Sequence, residues 1–125
     1  MMIVLIEGEN GFEVQAQFAD TFIKRLLGLM FRRELHEGSA LLLDPCSRIH
    51  TCFMRFPIDV VYLDHVNMVL KRETVYPWRM GSFVKGTRKI LELNKGAARK
   101  LKTEKQLFIS FIEERRSQDE LQSGK

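Results

Sequence analysis

The chain has 125 residues, with 20 Lys and Arg against 16 Asp and Glu for a formal net charge of +4, and 45% of its residues are hydrophobic. That length suits one domain able to bury roughly two-thirds of its unfolded surface without staples. The composition excludes collagen, coiled coil and wholesale disorder, and no stretch reaches the ~18 consecutive apolar residues of a membrane span.

The apolar run Ile3–Glu7 predicts a strand, and Asn10-Gly11 predicts a hairpin turn of type I′, in which two residues adopt positive φ. The partner strand is Phe12–Phe18, where Phe12, Val14, Ala16 and Phe18 alternate with polar residues, so one face is buried and one wet. At Asp20 the period changes: positions 22, 23, 26, 27 and 30 form one helical stripe, predicting a short amphipathic helix over Asp20–Met30. Strands are expected again at Ala40–Leu43, Ile49–Met54 and Val60–Leu63, punctuated by Asp44-Pro45 and Pro57. The loop Asp64-His65-Val66-Asn67 turns the chain into a strand from Met68 to about Tyr76. Arg79–Arg88, with Gly81 and Gly86, reads as a surface loop. Lys89–Leu93 is a further strand, Gly96–Lys102 one or two helical turns, and Leu107–Ile112 the last strand.

These elements predict a mainly β fold with one or two short helices, as a compact antiparallel β sandwich or barrel. Residues 1–112 are expected to form a single globular domain and 113–125 a frayed polar tail whose one apolar residue is Leu121. The N-terminal apolar run lacks a basic lead and stops at Glu7, so it reads as a strand and not an export signal. With two cysteines, Cys46 and Cys52, the expected compartment is the reducing cytoplasm, with no membrane partner.

The charge is unevenly placed. Residues 79–105 carry nine Lys and Arg against Glu92 and Glu104, a net +7, leaving −3 for the rest. Lys85, Arg88, Lys89, Arg99, Lys100 and Lys102 are therefore candidate anion-binding residues. The stretch lacks interleaved aromatics beyond Phe83, which favours a solvated basic face over a nucleic-acid site.

Phosphate-loop, Gly-x-Ser-x-Gly, His-Glu-x-x-His and Cys-x-x-Cys signatures are absent. Cys46, His50, Cys52 and Met54 have soft-ligand chemistry, but one strand does not wrap a small ion and sheet packing accounts for the alternation. Neither metal nor cofactor is expected. Asp59 sits among apolar residues and needs a partner, with Arg25 or Arg55 the candidates for a salt bridge, and ligand contact the alternative. Glu92, between Leu91 and Leu93, is either buried and paired or exposed at an edge. Trp78 either caps the sheet or offers an amphipathic binding platform.

Three segments carry a resemblance: Arg25-Leu26-Leu27-Gly28-Leu29-Met30-Phe31-Arg32, Phe53-Met54-Arg55-Phe56-Pro57-Ile58-Asp59-Val60-Val61-Tyr62-Leu63-Asp64, and Ile90-Leu91-Glu92-Leu93-Asn94-Lys95-Gly96. In this order, spanning about Ala19 to Phe111, they resemble domain of unknown function family 192, also called uncharacterised protein family 0127. The resemblance implies a small β-rich domain without an established activity. It marks Arg25, Gly28, Met30, Met54, Pro57, Asp59, Glu92 and Gly96 as recurring positions. Phe53 stands where the family often has Trp, and Arg55-Phe56 replaces a polar stretch.

The resulting expectation is a non-enzymatic domain that binds a small ligand or a protein near Arg25, Met54, Asp59, Trp78 and Glu92. Anion or nucleic-acid binding by residues 79–105 is the alternative. Catalysis at Asp59 or Glu92 stands third, since no nucleophile–base pair is visible.

Overall fold

The computed structural model describes residues 2–19, 39–52 and 54–114. Seven strands, β1 (Met2–Gly8), β2 (Glu13–Ala19), β3 (Ser39–Leu43), β4 (Ile58–Leu63), β5 (Val69–Val75), β6 (Lys89–Asn94) and β7 (Leu107–Glu114), form one sheet in the order β5-β4-β6-β3-β2-β1-β7. Among the described residues the one helical element is a 3-10 turn, Ala97–Leu101. The mainly β class is as expected. The detail that differs is the β2–β3 pair, which is parallel within an otherwise antiparallel sheet. A parallel pair needs a crossover, and the connection between these strands, with the helix expected at Asp20–Met30, lies outside the described residues.

The two edge strands meet at one end of the sheet. The Val69 N–H donates to the Lys105 carbonyl at 2.9 Å and the Leu107 N–H to the Asn67 carbonyl at 3.0 Å, beside a Met68–Gln106 bridge. The sheet therefore curls towards a barrel. Its concave face carries one apolar cluster, including Val4, Ile6, Leu42, Val61 and Leu91, closed from one side by Ala98 and Leu101 of the 3-10 turn. Its convex face carries a second, including Leu41, Ile58, Val60, Tyr62 and Ile90, covered by Ile49 and Met54. β4 is buried at all six positions, because both faces of this interior strand are covered.

Two local expectations are corrected. The β1–β2 connection is not a type I′ turn: of its residues Gly11 has φ 95° and Asn10 does not have positive φ, and the Gly8 N–H donates to the Phe12 carbonyl at 2.9 Å. A three-residue loop with its last residue left-handed fits this pattern. The cause is long-range: the Glu104 carboxylate accepts the Asn10 N–H at 2.9 Å and the Phe12 N–H at 3.2 Å, and so shapes the turn from outside. The strand expected at Ile49–Met54 does not form either. His50 makes a single bridge with Met80, and the Met54 N–H folds back to the Thr51 carbonyl at 3.1 Å. Thr51 is fully buried, and its hydroxyl lies 2.5 Å from the Tyr76 carbonyl and accepts the Arg79 N–H at 2.9 Å. This side chain supplies the backbone bonding that a strand ladder would otherwise provide. Without a strand, His50, Cys52 and Met54 do not share a face. β7 runs to Glu114, two residues beyond the expected boundary at 112.

Candidate functional site

Side chains alternate along a strand, so the β4–β6 register assigns Asp59 and Glu92 to opposite faces. Asp59 pairs with Leu93 and shares the concave face with Val61. Glu92 pairs with Val60 and shares the convex face with Ile90. The two carboxyls do not converge on one site.

Asp59 is 4% exposed in a strand of apolar residues, where an unpartnered carboxylate would be costly. Its partners are not arginines. The Thr74 hydroxyl donates to Oδ1 at 2.7 Å, and the N–H groups of Gly96 and Ala98 donate to Oδ2 at 2.8 and 3.0 Å. Asp59 is thus a remote cap for the 3-10 turn, whose own N-terminal residue, Gly96, sits at φ 93° and offers no side-chain cap. A residue with a Cβ is strained at that φ, which accounts for glycine there. The other end of the turn is held from β5, where the Arg72 guanidinium donates to the Leu101 carbonyl.

Between β5 and the clamped turn opens a cleft of about 520 Å³, lined by Asp59, Arg72, Glu73, Thr74, Lys95, Gly96, Ala98, Arg99 and Lys102. Four cations and two carboxylates line it, and both carboxylates accept hydrogen bonds from neutral donors. Asp59 accepts the three bonds above. Glu73 accepts from the Tyr62 hydroxyl and, at 2.8 Å each, from the Ser82 N–H and hydroxyl. Burial alone would raise the Glu73 carboxyl, but these donors outweigh it and hold it below the usual carboxylate range. Tyr62 is pushed up, first by burial and then by the carboxylate it faces. The ion pairs among the described residues, Lys71–Glu73 and Arg88–Asp44, leave the cleft cations unneutralised.

Of the anion-binding candidates, Arg99 and Lys102 line the cleft. Lys85, Arg88, Lys89 and Lys100 do not; Arg88 is paired to Asp44 at 3.3 Å, and the Lys89 ammonium donates to Asn67 Oδ1 at 2.7 Å. Sequence reasoning missed Arg72 and Lys95. The one signal available was the engagement of Asp59 with the Gly96 turn, which brings β5 and residues 95–102 to the same end of the sheet.

The remaining candidates lie apart. Met54 is buried in the convex cluster. Glu92, 7% exposed, is flanked directly by Leu41 on β3 and Val60 on β4, and burial pushes its carboxyl up to about 8. Trp78 is 58% exposed, with φ 62°. Arg25 lies outside the described residues.

With this geometry in hand, the chain can be placed among known proteins. The DUF192 family model, described as "Uncharacterized ACR", matches residues 3–111. A UPF0127 protein of Pyrococcus horikoshii is 34% identical over 107 residues, 82% of this chain and 92% of that protein. A UPF0127 protein of Thermococcus kodakarensis is 33% identical over 101 residues, 78% of this chain; this chain spans 64% of that relative's length. Among solved structures, a protein of unknown function from Novosphingobium aromaticivorans has a TM-score of 0.72 at 21% identity, over 86% of this chain and 83% of that one. A putative transcription regulator from Sinorhizobium meliloti has a TM-score of 0.70 at 18% identity, over 88% and 92%. At these identities the structural likeness is one of fold.

Proposed function

The chain belongs to the DUF192 family, also named UPF0127, a family of uncharacterised function, and from the cleft at β5 we propose that it is a non-enzymatic β domain that binds an anionic ligand. The observation that carries this reading is the set of four cations, Arg72, Lys95, Arg99 and Lys102, around a cavity of about 520 Å³ whose two carboxylates are already hydrogen-bonded. Cations on the walls of a concave, partly apolar site concentrate anions by their summed field. A clamped backbone also limits the ordering cost of binding. Thr74 supplies a neutral hydroxyl at the wall, but it is bonded to Asp59 and serves that clamp. The reading includes a single domain working in the cytoplasm, the compartment expected of a chain with two cysteines.

The test is calorimetric titration of the chain at low salt with pyrophosphate, tripolyphosphate and small dicarboxylates. Saturable binding that Arg99→Glu and Lys102→Glu each weaken supports the reading. Heats that are absent, or that the two variants leave unchanged, overturn it.

A further inference from the structure

Beside the cleft the chain exposes aromatic surface that the cations alone do not explain. Tyr76 and Trp78 are 52% and 58% exposed, and the Lys95 ammonium, itself a cleft residue, stands 5.2 Å from the Tyr76 ring centroid. Tyr76 thus adjoins the cleft through Lys95, and Trp78 follows it two residues on in the chain, past Pro77. Trp78 also holds a left-handed backbone conformation, φ 62°, which side chains with a Cβ adopt at a cost. Thr51 holds it there. Its carbonyl accepts the Trp78 N–H at 2.9 Å, and its hydroxyl and backbone hold the two residues flanking Pro77-Trp78. A buried hydroxyl therefore fixes the backbone around a residue that is 58% exposed. From Thr74 to Leu91 the chain contains no Asp or Glu, so nothing in this stretch repels a polyanion.

We infer that the anionic ligand is a single-stranded nucleic acid, with its phosphates along Lys95, Arg99, Lys102 and Arg72 and a base stacked on Trp78, Tyr76 joining that ring to the cleft. This rests on the cleft reading and adds the ligand class. Aromatic rings beside a cationic groove are the arrangement by which proteins hold single strands without reading sequence, because every base has a face to stack. A duplex is disfavoured because its bases are already stacked on one another.

Trp78 is the chain's one tryptophan, so its fluorescence reports the contact directly. The full chain is titrated with an oligothymidylate, with inorganic polyphosphate and with phosphatidylglycerol vesicles across a salt series. The oligonucleotide is expected to quench Trp78 and to bind more tightly than polyphosphate. Neutralising four phosphates on a single strand gives a log–log salt slope of about −3. Trp78→Ala should weaken oligonucleotide binding by about tenfold or more with the slope unchanged, and Trp78→Phe should lose less. Arg99→Glu should instead flatten the slope by at least about 0.7. If polyphosphate binds as tightly as the oligonucleotide and the fluorescence is silent, the nucleic-acid inference fails and the anion reading stands. If vesicles change the fluorescence and the oligonucleotide does not, the surface is a lipid contact and the inference fails. If no probe binds at low salt, both fail.

Discussion

Replacing Asp59 with Asn tests whether this residue is a clamp. The carboxylate accepts three hydrogen bonds at 2.7 to 3.0 Å, two from backbone N–H groups with no other acceptor in the turn and one from Thr74. The amide has nearly the same shape: its oxygen can keep the Gly96 and Ala98 bonds, and its NH₂ can donate to the Thr74 hydroxyl. What is lost is charge. A hydrogen bond to a charged group contributes about 1.5–3 kcal/mol against about 0.5–1.5 for a neutral one, so three bonds lose about 3 kcal/mol in all. For a chain of this length that lowers Tm by about 10 °C. Asp59→Ala should cost more, since it strands two N–H groups at a buried site. Circular dichroism melts and urea titrations give both values. The Asn chain should also bind pyrophosphate more weakly, because Arg99 and Lys102 ride on the turn that Asp59 holds. An Asn variant within about 1 kcal/mol of the parent would refute the clamp.

Glu92, with a carboxyl near 8 when folded against an ordinary 4.5, binds its proton more tightly in the folded chain. Its effect on stability is therefore neutral below about pH 4.5, worsens by about 1.4 kcal/mol per pH unit above that, and levels off beyond about pH 8. Urea midpoints of the parent should fall over that window relative to Glu92→Gln, and parallel profiles would discard the burial argument. Glu104→Ala should cost about 2–3 kcal/mol by releasing Asn10 and Phe12. Gly8→Ala, whose Cβ would lie 2.0 Å from the Glu104 carboxylate, should break the same clamp, so the double variant should be less destabilised than the sum. Strict additivity would separate the two. Lys85→Glu, a charge reversal away from the cleft, should leave pyrophosphate affinity within about twofold, whereas Arg99→Glu should lower it at least about tenfold at low salt. Equal losses would mean that net charge, not the cleft, governs binding.

The elements written in local code were legible in the sequence. Alternation marked β2, the Asp64–Asn67 turn introduced β5, and left-handed Gly96 opened the 3-10 turn. What escaped was set across the sheet. The segment at 49–54 has the composition of a strand, but the Thr51 hydroxyl bonds backbone groups some 25 residues away, a competition invisible to periodicity. The hairpin loop changed type for the same reason, through Glu104. The environment of Glu92 depends on β6 lying between β4 and β3, an order no local pattern encodes. Asp59 was readable as a residue in need of a partner. Its partners proved to be a threonine and two backbone N–H groups, and backbone donors have no sequence signature.

The division of labour around the cleft follows from the same contacts. Asp59 and Gly96 both belong to the segments that resemble the family, and they bond to each other: one supplies the acceptor, the other the backbone that turns towards it. Their shared task is to fix the 3-10 turn against β4 and β5 at a set distance. Arg72, Arg99 and Lys102 lie outside those segments, whereas the fourth cleft cation, Lys95, lies inside the third, beside Gly96. The segments therefore hold the frame and one of its cations, and residues 72, 99 and 102 complete the charge. With neutral residues at 99 and 102 the turn would still close over the concave core, because Ala98 and Leu101 supply the apolar contact and Arg72 still donates to the Leu101 carbonyl. The cleft would then hold Arg72 and Lys95 against Asp59 and Glu73, without the net positive charge that the proposed anion binding needs. The proposed anion binding is on that account separable, by mutation at 99 and 102, from the fold that carries the cleft.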